Sequence, residues 1–341
     1  MAKITVAEVT NKKEWEDFLE KHPEANFLQS WNWGEFHSNL GKKIFKSGFY
    51  DGEKLVGVML SVVEPARRGR YLTVPGGPII NFEDKSSTRA FIDTLRKIAG
   101  QENCAYVRVR PQLLSGDSSK KLFKRLGFIN APTHLHAELT AQLSLKKGEE
   151  ELLSSMRKTT RYEIKKAMSQ NIIIERTTNE DEIKKFYDLQ IKVSKKKNFV
   201  PFSYKFLLEQ FKSFSKDNQV LLMTAKMNKD VLAQAFVIFY GSEAVYHYGA
   251  TTEAGHKYPG AYLLQWEAIK EARKRGMQRY NLWGVAPEIN KNHRFYSLSV
   301  FKRGFGGEEV EYLHAQDLII DKKRYIINYL IESVRSKIRG V

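Results

Sequence analysis

The runs Lys46 to Tyr50 and Lys54 to Glu64 read as strands, and Asp51-Gly52 between them supplies the turn chemistry of a hairpin. The same signal returns at Val220 to Met227 and Val231 to Tyr240, joined by Asn228-Lys229-Asp230. Behind the first hairpin, Ser87 to Gly100 carries apolar residues at helical spacing and Tyr106 to Arg110 reads as a strand. A short helix then leads into Leu122-Phe123-Lys124-Arg125-Leu126-Gly127-Phe128. Behind the second hairpin come a helix over Ala261 to Arg275, a strand over Tyr280 to Trp283, a short helix, and Val300-Phe301-Lys302-Arg303-Gly304-Phe305. The elements and their order repeat, so the two halves are copies of one unit. Two copies, each with its own strands and helices, make a duplicated domain rather than a solenoid.

The boundary is expected between Leu145 and Glu150, ahead of a helix over Glu151 to Gln170, giving domains 1–148 and 149–319. No Pro/Ser-rich linker separates them, so close contact is expected. A last helix, Lys323 to Ile338, carries Ile327, Leu330, Ile331, Val334 and Ile338 on one face. It is expected to dock that face on the first domain, which segment 320–341 would complete; its basic residues leave a membrane-surface helix as the alternative. The fold class is α+β, with two mixed sheets flanked by helices. The order hairpin, helix, strand, helix, Gly-Phe turn resembles the acetyltransferase-like (GNAT) domain, which implies a sheet that splays open to admit a thioester or ester.

At 341 residues the chain has ample core and needs no staples, which excludes peptide hormones, zinc knuckles and disulfide scaffolds. Lys and Arg total 56 against 39 Asp and Glu, a formal charge of +17, and the partners of such a surface are polyanions: nucleic acid, nucleotide phosphates or anionic lipid. The single cysteine, Cys104, precedes a buried-looking strand and reads as a core thiol. The N-terminal MAKITVAEV has no apolar leader and no run is long enough to span a bilayer, so a soluble, cytoplasmic protein is expected. Paired cysteines, HExxH, P-loop and GxSxG motifs are missing, and no metal site is expected.

Three stretches carry candidate chemistry. Arg157, Arg161 and Lys165 recur every four residues with Lys158 and Lys166 beside them; the stripe is either a solvated face or a phosphate-binding one. Lys192, Lys195, Lys196 and Lys197 precede Asn198-Phe199-Val200-Pro201 and read as a flexible loop that grips phosphate or is plain surface. Tyr246-His247-Tyr248-Gly249 and Tyr258-Pro259-Gly260-Ala261 bracket a strand-turn-helix where helix amides could meet an anion. Lys257-x-x-Gly260-Ala261 is short of glycine for a coenzyme A pyrophosphate loop, which weakens that donor.

Leu263-Leu264-Gln265-Trp266-Glu267-Ala268, Tyr280-Asn281-Leu282-Trp283-Gly284 and Phe295-Tyr296-x-Leu298-Ser299-x-Phe301-Lys302-Arg303-Gly304-Phe305-Gly306-Gly307-Glu308 resemble the Fem (FemABX) aminoacyltransferases. Leu28-Gln29-Ser30-x-x-Trp33-Gly34, Pro75-Gly76-Gly77-Pro78 and Arg161-x-x-Ile164-Lys165-Lys166-Ala167 resemble them too, in family order along nearly the whole chain. The resemblance implies twin GNAT-like domains of the shorter, armless type. It also implies transfer of an amino acid from aminoacyl-tRNA, as co-substrate and without a cofactor, to a stem-peptide amine of a UDP-linked or lipid-linked peptidoglycan precursor. An aminoacyl ester is already activated, so no covalent nucleophile is required. Lys302 matches the family lysine at the reacting ester, and Arg303 follows it. The diphosphate positions fall at His37, where the family has lysine, and at Lys196, where it has arginine. Tyr248 and Tyr258 are the aromatic candidates for the pocket wall, with core packing as their plainer reading. Arg157, Arg161, Lys165, Lys195 and Lys197 are the candidates for tRNA or precursor phosphates. Peripheral contact with the inner face of the membrane stays open, as do two other readings: an N-acyltransferase using coenzyme A or a carrier, and a non-catalytic RNA- or membrane-binding protein.

Overall fold

A computed structural model describes residues 4–66, 69–197, 200–288 and 291–339. In chain order the elements are β1 (Ile4–Glu8), α1 (Lys12–Glu20), α2 (Trp31–Asn39), β2 (Ile44–Asp51), β3 (Lys54–Glu64), β4 (Arg70–Pro75), β5 (Ile79–Ile80), α3 (Lys85–Gln101), β6 (Cys104–Arg110), α4 (Asp117–Arg125) and β7 (Ile129–Asn130). There follow β8 (Leu139–Ser144), α5 (Glu149–Ser155), α6 (Lys158–Ser169), β9 (Ile173–Thr177), α7 (Glu182–Lys197), α8 (Tyr204–Ser215), β10 (Val220–Met227), β11 (Asp230–Tyr240) and β12 (Glu243–Thr251). The chain ends with α9 (Ala254–Lys257), α10 (Gly260–Lys274), β13 (Arg279–Gly284), α11 (Tyr296–Arg303), β14 (Glu308–Glu311), β15 (Gln316–Ile319) and α12 (Lys322–Arg339).

Both expected hairpins form. Gly52 and Asn228 take the left-handed φ that their turns require, +61° and +54°. The first sheet runs β1-β2-β3-β4-β6-β15-β7 with β5 on β3, and the second β14-β8-β13-β12-β11-β10-β9. Each contains a parallel pair at the same step of the unit, β4 with β6 and β12 with β13, bridged by helices α3 and α10. That shared crossover makes the duplication structural. Each sheet has its own core: Phe91, Leu95 and Phe123 among the buried residues of one, Leu264, Ile269 and Tyr280 among those of the other. Cys104 lies buried in the first core, and burial pushes its thiol up to about 11.

The compact units are Met1–Glu138 with Glu311–Val341, and Leu139–Val310. The division departs from the expected 148/149 and 319/320 because sheet pairing decides it. β8 pairs with β13 of the second sheet. β15 pairs with β6 of the first, where the Arg108 guanidinium holds the buried Asp317 carboxylate through two hydrogen bonds of 2.8 Å.

Three helix expectations need correction. The helix expected over Glu151 to Gln170 breaks at Met156 and Arg157, which are extended, because the Arg157 N–H donates to the Gly304 carbonyl at 2.9 Å instead of continuing a helix. Lys192, Lys195 and Lys196 lie on α7 rather than on a flexible loop, and the Lys197 side chain is outside the described residues. Finally α12 docks on β6 through Tyr325 and Asn328, which are buried, while of its expected apolar face Ile327, Leu330 and Val334 are exposed, Ile331 is half-buried and the Ile338 side chain lies outside the described residues. Among the described residues no helix is long and apolar enough to cross a membrane.

Candidate active site

The second unit's parallel pair holds together only briefly. β12 and β13 are in register at Glu243 with Arg279, Ala244 with Tyr280, and Val245 with Asn281, and then part. At the closed end the Glu243 carboxylate accepts from Arg279 Nε at 2.8 Å and from Asn281 Nδ2 at 3.2 Å. Past it, β13 shifts register and Gly284 pairs with Thr140 of β8. Trp283 makes the turn: its φ is +64°, a conformation a bulky residue rarely adopts, and its N–H donates to Asn281 Oδ1 at 2.8 Å. In the first unit the equivalent strands β4 and β6 stay paired from Arg70 with Cys104 through Pro75 with Arg110. The splay is thus present in the second copy and zipped shut in the first.

Helix α11 clamps the strand end that has peeled away. Ser299 Oγ accepts from the Ala286 N–H at 2.7 Å, Arg303 Nη2 donates to the Ala286 carbonyl at 2.6 Å, and Lys302 Nζ donates to the Gly284 carbonyl at 2.7 Å. Arg303 Nε is also paired with Glu309. The Lys302 side chain is 5% exposed, with its ammonium 5.7 Å from the Tyr246 ring centre on β12. Burial lowers its pKa to about 7. Burial likewise raises the Tyr246 hydroxyl to about 12, so that group stays protonated. A desolvated amine that is close to half-protonated at neutral pH can donate to developing negative charge or hold a transferring proton.

The glycine turn after α11 is fixed by close approach. A Cβ at Gly304 would sit 2.4 Å from Thr160 Oγ1, and one at Gly307, whose φ is +90°, would sit 2.3 Å from the Gln142 carbonyl oxygen. The turn therefore seats the start of α6, with exposed Arg157, against the end of α11. Lys302 itself belongs to the last helical turn and not to the glycine turn.

Other expected site residues fall as follows. Arg161 is turned back on α5, its Nη1 donating to the Ser154 carbonyl at 2.7 Å and the Met156 carbonyl at 2.5 Å, whereas Lys165 is exposed. Lys195 is exposed, and Lys196, also exposed, pairs with Glu253 at 3.4 Å. The Tyr248 hydroxyl donates to Gln210 Oε1 at 3.2 Å and its ring contacts Phe202, Phe236 and His247, while Tyr258 packs half-buried on the second core. Gly260 serves packing: a Cβ there would meet Leu232 Cβ at 2.7 Å. In the first unit His37 is buried at the end of α2 against Trp33 and Phe36, and its Nδ1 has no hydrogen-bond partner among the described residues. Burial, then Lys42 and His136, lower its pKa to about 2, so it offers an uncharged imidazole. Tyr246 belongs to one of the three stretches with candidate chemistry, whereas the Gly284 carbonyl and Ser299 carry no role in the sequence beyond their place in the family motifs. An Asn two residues before a Trp-Gly pair was the available sign of the turn that exposes that carbonyl. One group of possible metal ligands occurs among the described residues, His134, Glu138 and His314, with ligand atoms within 4.8 Å of one another and hydrogen-bonded together.

The FemAB family model matches residues 10–126, 123–231 and 209–333. The chain belongs to the FemAB family. It is an enzyme, an aminoacyltransferase. Aminoacyltransferase FemA of Staphylococcus aureus strain RF122 is 21% identical over 96% of this chain and 98% of its own length, and FemA of strain MRSA252 is 20% identical over the same shares. Those alignments run over 411 positions against this chain's 341 residues, so the relatives carry insertions it lacks. A crystal structure of FemX superposes with a TM-score of 0.85 at 18% identity, covering 96% of this chain and 100% of that one. A tandem GNAT protein from the clavulanic acid pathway gives 0.59 at 8% identity, over 93% and 98%. These likenesses establish the twin GNAT-like fold expected of the chain.

Proposed function

We propose that this FemAB member transfers an amino acid from aminoacyl-tRNA to a stem-peptide amine of a peptidoglycan precursor, with Lys302 at the reacting ester. The observation that carries the reading is the buried, carbonyl-anchored Lys302 beside strands that separate in the second unit alone. The neutral acceptor amine attacks the ester carbonyl; the new C–N bond forms, the oxygen becomes an oxyanion, and the Lys302 ammonium donates to it. Collapse breaks the bond to the terminal ribose oxygen, which takes up a proton as the amine nitrogen loses one. No covalent enzyme intermediate is needed, since the ester is already activated.

Arg303, Tyr248 and Tyr258 stand in this reading as substrate contacts, Lys196 and His37 as diphosphate contacts, and Arg157, Lys165, Lys195 and Lys197 as contacts for tRNA or precursor phosphates, while Arg161, whose guanidinium holds the Ser154 and Met156 carbonyls, braces the start of α6 beside them. His37, uncharged, contributes a hydrogen bond where an ammonium would contribute charge. The reaction would run in the cytoplasm, where charged tRNA is found. The test is a transfer assay with a mixed pool of charged tRNAs and both UDP-linked and lipid-linked muropeptides, read by mass. An aminoacylated peptide is the expected product; intact muropeptides in every combination overturn the proposal.

A further inference from the structure

Helix α12 is amphipathic in the reverse of the usual sense. Its packed side is polar and aromatic: Tyr325 is buried with its hydroxyl donating to Asp317 Oδ2 at 3.0 Å, and Asn328 Nδ2 donates to the Arg324 carbonyl at 2.9 Å. Its outward side is aliphatic. Ile326, Ile327, Leu330 and Val334 are 48%, 55%, 59% and 57% exposed, a stripe at helical spacing with no cover among the described residues.

The charge on the helix decides what would cover it. Lys322, Lys323, Arg324, Arg335, Lys337 and Arg339 stand against a single acid, Glu332. That acid faces inward, its Oε2 paired with Arg108 at 2.9 Å and its Oε1 accepting from the Tyr106 hydroxyl at 3.3 Å. Lys322, Lys323 and Arg335 are exposed, so the aliphatic stripe is bordered by uncompensated positive charge. A second copy fits poorly: like charges would meet, and a stripe about 12 Å long covers a small fraction of the roughly 800 Å² per partner of a stable interface. An aliphatic face rimmed by lysine and arginine suits the boundary between acyl chains and anionic headgroups.

We propose that the outward face of α12 docks the protein on an anionic lipid surface. The aliphatic stripe enters the headgroup boundary and the flanking cations meet lipid phosphates. The idea does not depend on the transfer reaction, and its test contains no substrate. The full chain is sedimented with phosphatidylglycerol vesicles and, separately, with phosphatidylcholine vesicles. The double variant Leu330→Gln, Val334→Gln, which keeps the charge and alters only exposed positions, is run beside it after thermal unfolding confirms its fold. The wild type is expected to pellet with phosphatidylglycerol and remain in solution with phosphatidylcholine, and the variant's partition coefficient to fall by about tenfold or more. Three results overturn the proposal: a wild type left in solution with phosphatidylglycerol, a variant that pellets equally and so binds by general charge alone, or a concentration-dependent dimer in sedimentation velocity that the variant abolishes without changing vesicle binding.

Discussion

Lys124 and Lys302 occupy the same place in the two copies of the unit, each in the last turn of its helix within a Phe-Lys-Arg run, and they point opposite ways. In the first copy Phe123 is fully buried and Lys124 exposed; in the second Lys302 is buried and Phe301 only half-buried. Nothing in the repeat requires a buried lysine, and burying an ammonium opposes folding. In the proposed reaction this buried ammonium, beside the splayed strands, is the oxyanion donor. Lys302→Met keeps the apolar stem and removes the donor. The variant is expected to fold, with stability equal to or above wild type, and to lose about a hundred- to a thousandfold in transfer rate, the cost of removing one oxyanion donor. Single-turnover transfer together with thermal unfolding checks this; a variant keeping more than about a third of the rate would return Lys302 to a structural role.

The depressed pKa of Lys302 has a signed consequence. The group ordinarily titrates at 10.5 and in the folded chain at about 7, so between those values the unfolded state holds more protons and stability rises with pH. Wild type is therefore expected to gain stability relative to Lys302→Met as pH increases through that window, by up to a few kcal/mol after allowance for solvent penetration. The transfer rate of wild type should carry a falling limb above about 7, where the ammonium is lost, and the Met variant's residual rate should lack it. Paired pH profiles of unfolding and rate test both; parallel profiles for the two proteins would contradict the assignment.

A second titrating group ties residue 138, where the first stretch of the first unit ends, to the returning segment after 311. His134 Nδ1 and His314 Nδ1 lie 2.6 Å and 2.7 Å from Glu138 Oε2, the Ala315 N–H donates to Oε1 at 2.8 Å, and His314 Nε2 meets the Ala131 carbonyl at 2.9 Å. Burial pushes the Glu138 carboxyl upward, but the two histidine hydrogen bonds outweigh it and bring it to about 2. Burial lowers His314, yet Glu138 and the Ala131 carbonyl leave it above its ordinary 6.5. The carboxylate's contribution is present above its unfolded value of 4.5 and is lost as pH falls toward 2; the histidine's is complete below 6.5 and is lost as pH rises through its raised value. Glu138→Gln is thus expected to destabilise most between 4.5 and 6.5, by about 2 to 3 kcal/mol, and less at alkaline pH. Denaturant midpoints measured in that window and above pH ~8 give the difference; an equal loss at both would mean that His314 carries no charge beside Glu138.

Much of the fold was legible because strands and turns are local. Gly52 and Asn228 advertise their turns, and the repeat of hairpin, helix and strand identified the duplicated unit. What the sequence reading missed was decided by contacts distant in sequence. One helix became α5 and α6 because a backbone N–H at Arg157 found a carbonyl at Gly304. The aliphatic stripe on α12 announced a helix without saying which side would be buried, and Tyr325 with Asn328 won that place through the polar cluster at Arg108 and Asp317. For Lys302 the motif pointed to the residue, but its burial and its carbonyl partner follow from the left-handed turn at Trp283, which no periodicity encodes.

The basic residues at the start of α6 divide by what their side chains already hold, and that division is testable. Arg161 is spent on the carbonyls of Ser154 and Met156, at the end of α5, so Arg161→Ala should cost stability. A loss of about 1 to 2 kcal/mol is expected, seen as a lowered melting temperature, with little change in the salt dependence of tRNA binding. Lys165 is exposed, and among the described residues the exposed Arg157 side chain hydrogen-bonds Thr159 Oγ1 alone, at 2.9 Å, by its Nε. If these two contact phosphates, Arg157→Ala and Lys165→Ala should leave the melting temperature unchanged. Each should then flatten the slope of log affinity against log salt by about 0.7 to 0.9, the signature of one released counterion. Titrations of charged tRNA at several salt concentrations distinguish the cases. Slopes unchanged in both variants would make this end of α6 a solvated face, and a flattened slope in Arg161→Ala would mean that its guanidinium leaves the α5 carbonyls when tRNA binds.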